Sequence, residues 1–165
     1  MTRRFTVGSS SLQFAFAICL LLLFPPHGTR AGTRQATGSE GAERIQLVVD
    51  RLKSQMGIRE PVAVSVLPSV ALVVSVQAPR DGSDTFRLSI EDQFLTRLNT
   101  DEIDAAVAHE LGHVWVFTHH PYLQTERLAN QIAMRVVSRD SLVSVYEKVW
   151  RHAGTKGDLV SFLGP

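Results

Sequence analysis

Apolar side chains recur at Ile45, Val48, Val49, Leu52 and Met56. That spacing lines one helical face, so the pattern predicts a helix over 42–56, stopped by Gly57. Past Gly57 the period changes to two. Val62, Val64 and Val66 alternate with other residues, as do Val74 and Val76, and Pro68-Ser69 separates the two runs. The expectation is two strands within 61–77 joined by a turn. Asp81-Gly82-Ser83-Asp84 carries turn chemistry, and Phe86, Leu88 and Ile90 alternate as a third strand over 85–90. A short helix over 91–98 would turn Phe94, Leu95 and Leu98 inward.

Thr100 suits an N-cap, with Asp101, Glu102 and Asp104 in the first turn, where the helix dipole favours acids. This helix is expected to run to 117 or 118, and Pro121 bars its continuation. The helical period returns over 123–137, through Leu128 and Ile132, and again over 141–152, through Leu142, Val145, Val149 and Trp150. Gly154 ends the last of these. Leu159, Val160, Phe162 and Leu163 give the tail apolar groups that dock on a core. The sum is an α+β fold, with a small mixed sheet of about three strands packed on one long helix and further helices after it.

The N-terminal stretch breaks this pattern. Arg3 and Arg4 precede an apolar run over 14–24, which Pro25-Pro26 closes. The run is short of the roughly 20 apolar residues that span a bilayer. Thr29-Arg30-Ala31 has a small-x-small pattern, so residues 1–31 are expected to be a signal peptide cleaved near Ala31 or Gly32. A retained anchor is the alternative. Residues 32–40 are small and polar, a flexible lead into a single domain over 32–165 that is exported to the periplasm or secreted.

The chain of 165 residues has 44% hydrophobic and 20% charged residues and a formal net charge of +1. That balance is globular, and it lacks the clustered basic face a nucleic-acid binder needs. Cys19, the one cysteine, lies inside the apolar run. A cleaved chain therefore has neither disulfides nor thiolate ligands, and any zinc must be held by His, Asp or Glu.

His109-Glu110-Leu111-Gly112-His113 fits H-E-x-x-H. Residues i and i+4 of a helix share a face, so both imidazoles can reach one metal. Glu110 beside them is placed as a general base for water that zinc acidifies, and zinc also polarises the scissile carbonyl. Ala105, Ala106, Val107, Ala108 and Leu111 surround the motif, so its helix is expected to be buried. Unpaired ionisable groups there would be costly, and a metal gives them a purpose. Gly112 allows a neighbour to pack closely.

A catalytic zinc site needs a third protein ligand. Glu126 qualifies if a helix–loop–helix hairpin returns it to the motif. His119 qualifies by its spacing of six residues from His113, although Val116 stands where a sharp turn wants glycine. His119 and His120 also read as loop residues, or as caps on the carbonyls ending the helix. Tyr122, Tyr146, Arg151 and His152 are the residue types able to stabilise an oxyanion. Trp115 and Trp150 read as core, and Arg127 and Arg135 as solvated.

The run DEIDAAVAHELGHVW, with ERLANQIA after it, resembles the gluzincin metallopeptidases of the CAAX-prenyl-protease and HtpX-like type. The resemblance spans roughly 62–137. It implies a zincin-like fold with the strands before the motif lining the substrate cleft. It also implies Zn2+ held by His109, His113 and Glu126, with Glu110 catalytic and a polypeptide as substrate. Asn130 stands where that family has an aspartate that orients a metal-binding histidine; its amide oxygen can still accept from an imidazole N–H. The short link from His113 to Glu126 leaves no room for inserted membrane helices, which implies a form without an integral membrane domain after signal cleavage. The expected activity is zinc-dependent endopeptidase action on exported or membrane-proximal proteins, with a zinc-binding scaffold of little catalysis as the alternative. Oligomeric state is open.

Overall fold

The computed structural model describes residues 34–80 and 82–165. The expected signal peptide over 1–31 lies outside the described residues.

Helix α1 (Arg34–Met56) buries Ile45, Val49, Leu52 and Met56 along one stripe. It begins earlier than the polar composition of 32–40 suggested, because a helix anchored by a packed face extends cheaply into residues without proline. Its end is a Schellman motif: Gly57, at φ 70°, donates to the Ser54 carbonyl at 3.4 Å, and Ile58 donates to that of Lys53 at 3.0 Å.

Strands β1 (Val62–Leu67), β2 (Val74–Gln77) and β3 (Phe86–Glu91) form one mixed sheet in the order β1-β3-β2. The expected turn-joined pair is corrected here. β1 runs parallel to β3, with Val64 opposite Leu88, and β2 runs antiparallel to β3, with Val76 opposite Leu88. Periodicity assigns side chains to faces but says nothing of neighbours. The central place goes to the strand with the most buried face, Phe86, Leu88 and Ile90 at 3%, 0% and 1% exposure.

After the short helix α2 (Asp92–Leu95), α3 (Thr100–His119) crosses the domain. Its N-cap is Asn99 rather than Thr100. Asn99 Oδ1 accepts from the Glu102 N–H at 3.0 Å, and Glu102 Oε2 accepts from the Asn99 N–H at 2.8 Å. This capping box needs a carboxylate three residues beyond the cap; from Thr100 that position is Ile103. Glu102 is buried and also accepts from Ser144 and from Lys148, each at 2.6 Å. Burial would raise its pKa, but the hydrogen bonds from Lys148 and Ser144 outweigh that and lower it.

A 3-10 turn (Pro121–Leu123) leads to α4 (Glu126–Ala133), shorter than the expected 123–137. Thr125 caps its start, accepting from the Leu128 N–H at 3.2 Å, and Ser138 caps α5 (Arg139–Ala153) by accepting from Ser141 at 3.0 Å. Two caps this close leave room for only two turns between them. Helix α6 (Leu159–Leu163) brings the tail onto the core through Leu163 and Phe162, as its apolar residues suggested. α3 packs against α1, β2, α4 and α5, so the motif helix is the hub of the core.

Candidate metal centre

α3 turns Val107, Ala108, Leu111 and Val114 into the core at 0% exposure, and this fixes the rotation of the helix. His109 and His113 then share a face, their rings meeting edge to face with centroids 4.8 Å apart. α4 supplies the third group. Gly112 lies so close to the Ala129 carbonyl that any side chain at 112 would collide with the α4 main chain. This approach carries Glu126 to the two histidines: Oε2 is 3.2 Å from His109 Nε2, and Oε1 is 3.4 Å from His113 Nε2. One ligand atom from each of the three residues falls within 4.8 Å of the others.

The donor set fits zinc. Ligands at about 2.0–2.2 Å from a shared tetrahedral ion stand about 3.3–3.6 Å from one another. The two nitrogen–oxygen separations at Glu126 match that edge. The same separations let protonated histidines hydrogen-bond the carboxylate. Burial would lower the pKa of His109, but the Glu126 hydrogen bond and the charges of Glu110 and Glu126 outweigh it and push it up to about 9. Burial would raise Glu126, yet the hydrogen bonds and charges of His109 and His113 hold it well below the usual carboxylate range.

Glu110 sits in the adjoining wall, buried at 7% exposure. Burial raises its pKa, against the opposing charges of His109 and His113 and a hydrogen bond from the Val76 N–H of β2. A carboxylate tuned upward suits a proton acceptor working near neutral pH. A cleft of about 270 Å³ opens between β2 and α3, with Glu110, His113 and Glu126 at one side and Val74, Val76 and Phe117 among its apolar lining. In the ladder Val74 and Val76 alternate with Val73, whose carbonyl accepts from Glu91 of β3, so the Val76 N–H points away from β3 and into the cleft.

His119 is not brought to the cluster. Its ring stacks on Trp115 at 4.1 Å, and its Nδ1 lies 2.9 Å from the Trp115 carbonyl, a contact that serves the end of α3. The Arg135 guanidinium lies over the Trp115 ring, 5.2 Å from its centroid. His120, Arg127 and Arg151 are exposed, Tyr122 is 97% exposed, and His152 pairs with Glu91 at 3.1 Å. Trp150 packs on Tyr146 and Phe162, in keeping with a core role.

Sequence reasoning missed two partners of the site. Asn130 Oδ1 is 2.8 Å from His109 Nδ1, as its residue type allowed. Its amide nitrogen, however, donates to the Tyr146 hydroxyl at 2.8 Å and to the Phe162 carbonyl at 3.0 Å. Tyr146 OH also lies 3.4 Å from Glu126 Oε2. A buried amide always needs partners for its N–H groups, and that need was the one available signal; nothing in the sequence named Tyr146 or Phe162 as the partners.

A mixed three-stranded sheet on a long motif helix, with a second helix returning a carboxylate to two histidines, is a metallopeptidase-like fold. The chain superposes on the crystal structure of the metallopeptidase zymogen of Pyrococcus abyssi abylysin with a TM-score of 0.50, covering 69% of this chain and 99% of that one. Identity is 15%, so the likeness is one of fold. No protein-family model matches the chain, and no curated protein does.

Proposed function

We propose that the chain is a zinc-dependent endopeptidase of the gluzincin type, acting on exported or membrane-proximal polypeptides. The observation that carries this reading is the His109–His113–Glu126 triangle with Glu110 in its wall. His109 Nε2, His113 Nε2 and the Glu126 carboxylate would hold the ion. When bound, zinc supplies Lewis acidity, acidifying water and polarising a carbonyl. Glu110 accepts the proton from the attacking water and returns it to the leaving amine. The Val76 N–H aims the Glu110 carboxylate. The apolar lining beside it excludes water and receives side chains of an extended peptide.

The abylysin likeness supports a peptidase, and the N-terminal apolar run supports export with cleavage near residue 31. Among the described residues no helix is long and apolar enough to cross a membrane. The processed chain is then a single domain over 32–165.

The test is hydrolysis of an unfolded protein by zinc-loaded wild type and Glu110→Gln. The expected result is a loss of at least about a hundredfold in kcat with zinc content unchanged. Equal rates would remove Glu110 from the mechanism. Stoichiometric zinc without cleavage by either protein would favour a scaffold.

A further inference from the structure

Asn130 is fully buried, at 0% exposure. Its amide has two hydrogens to give and lone pairs to fill. A main-chain carbonyl can only accept, so the Phe162 contact fixes which end of the amide is nitrogen. The second hydrogen goes to the Tyr146 oxygen. Oδ1 is thereby turned to His109, and because it only accepts, His109 Nδ1 carries a hydrogen. Nε2 is left facing Glu126 and the triangle.

The phenol acts twice. Having accepted from Asn130, Tyr146 has its own hydrogen free for Glu126 Oε2. Tyr146 is 6% exposed, and its ring lies 5.7 Å from that of His109. One side chain from α5 thus reaches both a histidine's orienting partner and the carboxylate on α4.

We propose that Tyr146 and the Phe162 carbonyl are positioning groups that aim His109 and Glu126 at a shared divalent cation, and that asparagine at 130 is matched to them. This rests on the metal-site reading above. The match has a sharp consequence. An aspartate at 130 would set acceptor oxygens against the Phe162 carbonyl and would draw the Tyr146 hydrogen away from Glu126. An acid at this position would therefore weaken this site rather than strengthen it.

The experiment compares the full chain with Tyr146→Phe and Asn130→Asp. Zinc affinity is read by chelator competition, site geometry by the visible absorption of the cobalt(II) form, and folding by circular dichroism. Both variants should bind zinc about 10–100-fold more weakly, with altered cobalt bands and an unchanged far-ultraviolet spectrum. Zinc affinity within twofold of wild type together with an unaltered cobalt spectrum in Tyr146→Phe would overturn the positioning role. Equal or tighter binding by Asn130→Asp would overturn the match. Should either variant fail to fold, 3-fluorotyrosine at position 146, in a Tyr122→Phe background, keeps ring and hydroxyl. An altered cobalt band then supports the proposal, and an unaltered one overturns it. A wild-type chain that bound neither ion would overturn the cation site itself and this proposal with it, whereas a metal-binding wild type beside an unaffected Tyr146→Phe would overturn the positioning alone.

Discussion

Gly112 and the carbonyl of Ala129 are in direct contact, so helices α3 and α4 meet backbone to backbone at the level of the metal triangle. The space lacks room for a methyl group. Gly112→Ala should therefore push α4 outward and carry Glu126 away from His109 and His113. The expected cost is about 1–3 kcal/mol of stability, although alanine is the better helix former. Zinc affinity should fall at least about tenfold. A thermal melt of the metal-free chain and a chelator titration measure the two effects separately; a variant with undiminished zinc affinity would show that α4 has another way to seat Glu126.

Glu126 and His119 make opposite predictions for zinc content. Glu126→Ala removes a donor from the triangle and should leave well under one zinc per chain after dialysis. His119→Ala removes a ring stacked on Trp115 and should retain full zinc. Elemental analysis of the two beside wild type decides between them, and the reverse outcome would move the third ligand to His119.

The metal-free chain should show a pH dependence of definite sign. The pKa of His109 rises on folding from 6.5 to about 9, so its pairing with Glu126 contributes fully below 6.5 and is lost as pH climbs through about 9. The Glu126 carboxyl moves down from 4.5, so its contribution is present above 4.5 and is lost as pH falls. Urea midpoints of the metal-free chain should therefore plateau between these limits and decline on both sides. Zinc must displace the His109 proton, so its affinity should rise about tenfold per pH unit between 7 and 9. A flat affinity over that range would mean His109 is already neutral in the metal-free chain.

Lys148 supports the start of the motif helix from a distance. Its ammonium reaches Glu102, which closes the capping box of α3. Lys148→Met should lower stability by about 1–3 kcal/mol at pH 7, where the buried Glu102 is charged and loses a charged donor. Because the folded pKa of Glu102 lies below 4.5, this deficit should persist above that value and shrink as the carboxyl is protonated. Chemical denaturation at pH 7 and pH 3 reads the difference; an equal deficit at both would make the effect one of packing alone.

Local chemistry made much of this legible. The motif at 109–113 and the apolar stripe of α1 follow from spacing that the structure repeats directly. The three strands were visible because Phe86, Leu88 and Ile90 alternate, but their order was not, since a pleat pattern is the same for any neighbour. The break at Thr125 was hidden because Leu123 stands just before it and reads as part of the same apolar run, while the cap that begins α4 is a single hydroxyl. In the sequence Tyr146 stands only as one of several residue types able to stabilise an oxyanion. Its link to Asn130 and Glu126 depends on how α5 crosses α4, which no pattern within either helix encodes.

The residues proposed to grip the ion all lie between His109 and Glu126, on two helices that follow each other in the chain. A cation held there is a cross-link closing a short loop, and short loops gain little from being tied in the unfolded state. Its influence is therefore regional. Stripping the ion should loosen α4 against α3, raising amide exchange around Glu126 and Ala129, while the β1-β3-β2 sheet and its contacts with α1 keep their protection.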